Sequence, residues 1–147
     1  MIVRAAVESD AAGLTALTRR SKAHWGYSEE FLARVWDELS ISVAQIEAGG
    51  CALACEGDVL LGYYRVGGPP PDGLLMDFFV DPPTIGTGLG RVLWEHALGE
   101  SRERAYRTLN WESDPNAEGF YLRMGGRRVG EREVSPGRLL PLMSIDL

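Results

Sequence analysis

Three glycines at alternate positions, Gly86, Gly88 and Gly90, are the residues best spaced for chemistry. They follow an apolar run, Leu74 to Val80, that only Asp77 interrupts, and they precede a stretch with helical spacing. Glycine lets the main chain come close to a phosphate, and the first N–H groups of a helix have no internal partner. A strand, a glycine turn and a helix start together make an anion site out of backbone. A P-loop would end in Gly-Lys-Ser/Thr, where this chain has Gly90-Arg91-Val92. A dinucleotide fingerprint, G-x-G-x-x-G, would need glycine at Arg91 or at Leu93. Both are excluded. Arg91 is either a phosphate ligand or a solvated surface arginine.

Other side chains could move a proton or touch a substrate. Asp77 and Glu112 fall in neighbouring predicted strands, and His24 has an unperturbed pKa near neutrality. No spacing argument selects a base among them. His24-Trp25-Gly26-Tyr27 offers an imidazole, an indole and a phenol in one loop. That loop either contacts a substrate or staples two helices. In a second block, Ser113 to Gly126, Asn116 or Asp114 can cap a short helix that Gly125-Gly126 ends. Phe120 and Met124 lie one turn apart and are expected to bury.

The elements that position these groups follow from local pattern. Ile2–Val7 reads as a strand, and Ser9 or Asp10 can cap a helix that carries Leu14, Leu17 and Thr18 to about Ala23. Ser28 caps a second helix, with Phe31, Val35 and Leu39 on one face. Val43 to Ala48 is a helical turn before Gly49-Gly50. Cys51–Cys55 and Val59–Val66 form a hairpin across Glu56-Gly57-Asp58. Gly67 to Gly73, with three prolines, is a loop. After the glycine turn, Leu89, Val92, Leu93, His96 and Ala97 form one helical stripe that fades between Gly99 and Arg104. Tyr106–Glu112 should then lie parallel to the preceding strand, through a right-handed crossover. Gly126–Val134 and Leu139–Leu147 close the sheet around Pro136-Gly137, and Pro141 predicts an edge, a bulge or a late strand start.

The glycine block resembles the pyrophosphate loop, Q/R-x-x-G-x-G/A, of the GNAT superfamily of acetyl-CoA-dependent N-acetyltransferases. Gly88 and Gly90 match its small positions. Ile85 replaces the usual Arg or Gln, which removes one side-chain donor and leaves the backbone amides. The second block is similar to the family motif N-x-x-A-x-x-F-Y-x-x-x-G-F at Asn116, Phe120, Tyr121 and Gly125, with Ala117 displaced and Gly126 in place of the last aromatic. Ile2 to Leu17 resembles the family's opening strand and helix, and the likeness runs to about Arg128.

The resemblance implies a single domain over residues 1–147 of α/β (α+β) class with a GNAT-like fold. Its sheet would be central, twisted, mixed and mostly antiparallel, with about six or seven strands and about four flanking helices. Acetyl-CoA is implied as co-substrate, and a primary amine of a small molecule or peptide as acceptor. The implied cofactor contacts are Ile85, Gly86, Thr87, Gly88, Leu89, Gly90, Arg91 and Asn116, with the backbone of Phe78, Phe79 and Val80 pairing with the pantetheine arm where two strands splay. Tyr121 would lie beside the sulfur and protonate the leaving thiolate, and Asp77 or Glu112 would serve the amine. His24, Trp25, Tyr27 and Trp111 would face the acceptor. A non-catalytic acyl-CoA sensor is the alternative; a docking subunit using Trp25, Tyr27 and Trp36 is a third reading.

Bulk properties narrow the class. The chain has 147 residues, 45% hydrophobic and 24% charged, enough for a globular core. Its formal charge of −6 disfavours nucleic acid as a partner. No apolar run reaches the roughly 18 residues of a membrane span, and no signal-peptide pattern opens the chain. Cys51 and Cys55 on one strand would lie roughly 13 Å apart, too far for a disulfide. Buried thiols in a reducing, cytoplasmic setting, with no metal, are expected. The apolar tail Leu139–Leu147 either closes the sheet or forms a homodimer contact.

Overall fold

In the computed structural model, which describes residues 1–147, seven strands hydrogen-bond into one sheet. They are β1 (Ile2–Ala5), β2 (Cys51–Glu56), β3 (Val59–Gly67), β4 (Asp72–Val80), β5 (Thr108–Glu112), β6 (Arg127–Ser135) and β7 (Arg138–Asp146). Their order is β1-β2-β3-β4-β5-β7-β6. The pair β4–β5 is parallel, and β1–β2, β2–β3, β5–β7 and β6–β7 are antiparallel. Five α-helices accompany them: α1 (Ala11–Ala23), α2 (Glu29–Val35), α3 (Val43–Glu47), α4 (Leu89–Glu103) and α5 (Glu118–Arg123). The expected mixed, mostly antiparallel sheet is present. Contacts divide the chain into two units, Met1–Arg65 with Asp77–His96, and Val66–Met76 with Ala97–Leu147.

In the first unit, Cys51 to Cys55 are all buried, as befits a strand covered on both faces. Cys51, Leu53 and Cys55 join Leu14, Leu17, Ile41, Ile46 and Tyr63 in one cluster. Both cysteines are free. Burial pushes the Cys51 thiol up to about 11, the direction expected when the charged form loses water. The polar groups inside this core are satisfied in a fixed direction. The Thr18 hydroxyl donates to the Leu14 carbonyl at 2.7 Å, so it accepts from the Tyr63 phenol at 2.6 Å. Ser28 caps α2 by accepting from Phe31 N–H at 3.1 Å, as expected. Ser42 and Gln45 form a reciprocal capping box on α3.

Three local expectations need correction here. Asp10 does not cap forward, because a 3-10 turn over Glu8–Asp10 runs straight into α1 and leaves Asp10 already helical. Its carboxylate reaches back instead, to Val7 N–H at 2.8 Å and the Arg4 guanidinium at 2.9 and 3.0 Å. The second helix stops at Val35, and buried Leu39 belongs to a following 3-10 turn. The buried residues of α4 are Leu89, Leu93, Trp94, Ala97 and Ser101, while Val92 and His96 are exposed. The Trp94 indole takes the place assigned to those two. His96 Nδ1 still pairs with the buried Tyr64 phenol at 2.7 Å.

In the second unit, β4 pairs with β5 at Asp72↔Thr108, Gly73↔Leu109 and Leu74↔Asn110. A side chain at Gly73 would collide with the Tyr106 ring, so the strand needs glycine there. Tyr106 precedes β5 rather than opening it; its N–H bonds Ser101 O at 3.0 Å and its phenol bonds Gly68 O at 2.6 Å. The proline loop shrinks to four residues, 68–71, because strands claim Gly67 and Asp72–Gly73. Phe120 and Met124 are only half-buried, and Tyr121 takes the interior position of α5.

The tail strand β7 lies inside the sheet, between β5 and β6. Pro141 therefore sits in an inner strand, facing the point where β5 ends. Ser113 N–H donates to Pro141 O at 2.9 Å, and proline has no N–H to return. β6 is an edge strand of alternating charges, with register shifts between Arg128 and Gly130 and between Glu133 and Ser135.

Candidate active site

The glycine loop is shaped by its flanking threonines. β4 ends at Val80, and Asp81 N–H is held by Leu61 O at 2.8 Å. Pro82–Thr84 makes one 3-10 turn, with Thr84 Oγ1 donating to Asp81 O at 2.6 Å. Thr87 Oγ1 and Thr87 N–H both donate to Thr84 O, at 2.5 and 3.1 Å. Gly86, between these anchors, and Gly88, just after them, take φ of +84° and +89°. An added Cβ at either would meet nothing within 4 Å. Glycine is required for its backbone angle, and the space before the loop is open. The first bond of α4 is Val92 N–H to Gly88 O at 3.3 Å. The N–H groups of Leu89, Gly90 and Arg91 precede it and lie at the positive end of the helix. Ile85, Thr87 and Arg91 are exposed. The loop fits a pyrophosphate: backbone donors, an open approach and one guanidinium on the first turn.

The end of β4 spends its side chains on packing. Phe78 meets Trp94 edge-on at 5.8 Å, Phe79 stacks on Tyr63 at 6.0 Å, and Val80 closes on Gly62. Backbone is what this stretch has to offer a ligand. Asp77 does not stand alone. Its Oδ2 accepts from Arg65 Nε at 2.7 Å, and both side chains are about 15% exposed, at 15% and 16%. Arg65 was not among the expected site residues. It and Asp77 lie six positions either side of Pro71, the relation expected across a hairpin, so the signal was in the sequence.

The loop after α1 divides its aromatics. Tyr27 packs on Phe31 at 4.5 Å, with the Lys22 ammonium 5.0 Å above its ring. That is the stapling role. His24 and Trp25 meet edge-on at 4.9 Å, His24 is exposed, and Trp25 is 41% exposed.

In the second unit, Tyr121 is 6% exposed on α5, its ring 5.0 Å from Trp111 and 5.4 Å from Phe120. Trp111, expected toward the acceptor, is 5% exposed and lies under Gly126. Its contacts form the shelf on which Tyr121 rests. Glu112 is engaged through both oxygens by Arg132, at 2.7 and 2.8 Å. Asn116 donates from its backbone and from Nδ2 to Asp114 Oδ1, at 2.8 and 2.9 Å, which fixes the turn into α5.

Comparison with known proteins adds three findings. Residues 9–147 match the family model described as the acetyltransferase (GNAT) domain. The peptidyl-lysine N-acetyltransferase YjaB of Escherichia coli K12 is 36% identical over 91 residues, covering 61% of this chain and 58% of that protein. Its namesake from Salmonella typhimurium LT2 is 34% identical over 89 residues, 60% and 57%. The matches thus span a little over half of these curated relatives. Among solved structures, the PaiA N-acetyltransferase of Thermoplasma acidophilum in complex with coenzyme A superposes with a TM-score of 0.85 at 15% identity, over 99% of this chain and 98% of that one. The apo form of YjaB from E. coli gives 0.72 at 25% identity, over 98% and 96%.

Proposed function

Because the chain belongs to the GNAT acetyltransferase family, we propose that it moves an acetyl group from acetyl-CoA directly onto a lysine side chain of a peptide or protein. The observation that carries the cofactor half is the loop Ile85–Arg91, with Gly86 and Gly88 at positive φ before the N-terminus of α4. Likeness to proteins named peptidyl-lysine N-acetyltransferases supports the acceptor half. The family match spans residues 9–147, which supports one acetyltransferase domain over 1–147. No helix is long and apolar enough to cross a membrane. Two buried free thiols fit a cytoplasmic setting.

Acetyl transfer to an amine has three needs: a neutral amine, a polarised thioester carbonyl and a stabilised thiolate. The amides of Gly86, Gly88, Leu89, Gly90 and the Arg91 guanidinium hold the pyrophosphate of acetyl-CoA, which supplies the activated acetyl group. Backbone N–H groups at Phe78–Val80 bind the pantetheine arm and polarise the carbonyl. The Tyr121 phenol donates its proton to the departing thiolate. Asp77, oriented by Arg65, orders the water that takes the amine's proton, and Glu112, with both oxygens on Arg132, is the other carboxylate of the pair. Asn116 holds the turn that presents Tyr121. His24 and Trp25 face the acceptor.

Titration with acetyl-CoA, with NADH as control, should show binding of the CoA species alone. Thiol release should then follow addition of a lysine peptide, with the added 42 Da of an acetyl group on the lysine Nζ by mass spectrometry (about 42 Da, one acetyl for one hydrogen). Acetyl only on the α-amine would overturn the lysine assignment. Tyr121→Phe should lower kcat by about 10²-fold with CoA affinity kept. An unchanged kcat would remove Tyr121 from the chemistry.

A further inference from the structure

Helix α2 carries a second, mixed face besides the one that leads into the core. Phe31 and Val35 are half-buried, and they lead to buried Leu39. Glu29, Leu32, Ala33 and Trp36 follow the spacing i, i+3, i+4, i+7 on a different face, roughly 130° around the helix. These four line a groove of about 420 Å³. Trp36 is 43% exposed there. Leu32 is half-buried on this face, while Glu29, Ala33 and Trp36 are exposed and leave the groove open to solvent.

We propose that this groove docks a lysine or arginine side chain of the polypeptide substrate, a basic residue other than the one acetylated. The inference rests on the peptidyl-lysine reading above. The chemistry of the lining selects the occupant. Leu32, Ala33 and the edge of the Trp36 ring suit an aliphatic stem, and Glu29, about two turns away, suits its cationic head. The Arg19 guanidinium covers one face of that ring, 4.1 Å from its centroid, and is anchored to Trp36 O and Ser40 Oγ, so the ring is held in place as a wall of the groove. Around the groove, Glu29, Glu30, Asp37 and Glu38 stand against Arg34 and the Arg19 that stacks on Trp36, an excess of two negative charges, and the whole chain carries −6. An anionic segment would be repelled. A purely apolar one would strip water from Glu29 without giving it a partner.

The test uses fluorescent peptides with one acceptor lysine and, several residues away, either a second lysine or norleucine. Binding is read by anisotropy on wild type, Glu29→Gln and Trp36→Leu, each checked for acetyl-CoA affinity. Wild type should prefer the dibasic peptide by about 5–10-fold, the size of one partly desolvated cation contact. Glu29→Gln should erase most of that preference without changing affinity for the norleucine peptide or for acetyl-CoA. In turnover, the effect should fall on KM and leave kcat alone. Equal binding of the two peptides by wild type, or an unchanged preference in both variants, overturns the groove. If no lysine is acetylated yet the preference still depends on Glu29, the groove stands and the proposed reaction falls. If lysines are acetylated and the variants match wild type, the groove alone falls.

Discussion

The Arg4 guanidinium holds the Asp10 carboxyl below the usual carboxylate range, and the Val7 N–H adds to the effect against the cost of burial. A depressed folded pKa stabilises the protein above the unfolded value, near 3.9, and that contribution is lost as pH falls through the folded one. Asp10→Asn should therefore cost about 1 kcal/mol at neutral pH, a charged hydrogen bond discounted for partial exposure. The gap from wild type should close as pH falls below the unfolded value and through the depressed folded one in chemical denaturation series. A gap that persists in acid would show that the amide fails for steric reasons. Asp10 also illustrates what single residues disclose. Its type announces a capping role, and only the backbone turn over Glu8–Asp10 decides that it reaches backward. Asp77 and Glu112 are alike in this. Their carboxylates are visible in the sequence, but Arg65 and Arg132 come from other strands and set what those carboxylates can do.

At the scale of elements, the loop before α4 tests conformation against packing. Gly88→Ala places a Cβ in free space but at φ +89°, which costs on the order of 1–2 kcal/mol. The loop will relax, its amides will turn, and the Kd for acetyl-CoA should rise at least about 10-fold by calorimetry. Gly99→Ala is the contrast: it lies within α4, is equally unobstructed, and should stabilise by roughly 0.5–1 kcal/mol with Kd unchanged. If both variants bind alike, backbone angle is not what the loop supplies. The loop was legible because glycine spacing and flanking prolines are local signals. The buried stripe of α4 was less so. Periodicity weighs Val92, His96 and Trp94 by position, and the indole's volume settled which of them the interior accepts.

For the molecule as a whole, a charge of −6 acts on every approaching ligand. Association with a dibasic lysine peptide should be steered, so kcat/KM should fall several-fold between about 20 and about 200 mM salt. An uncharged amine analogue should show no such dependence; equal slopes would place the attraction elsewhere. Long-range order is where the sequence says least. Each closing strand is visible in its own alternation. That β7 inserts between β5 and β6 depends on residues far apart in the chain, Trp111 opposite Met143 and Arg128 opposite the same residue. Tyr121 could be named from its motif; that Trp111 lies beneath it required the fold.

The one-sided bond from Ser113 to Pro141 works as a ruler stop. A ladder between two strands can slip or lengthen wherever donors and acceptors alternate without end. Here the ring nitrogen of Pro141 closes the count after Glu112↔Leu142, and the chain must leave the sheet at Ser113. The point of departure for the turn at Asp114 and Asn116, and so for α5 with its phenol, is thereby indexed to a fixed rung. Sequence drift elsewhere in β5 can change which side chains line the strand, but it cannot shift by a residue the place from which Tyr121 is launched.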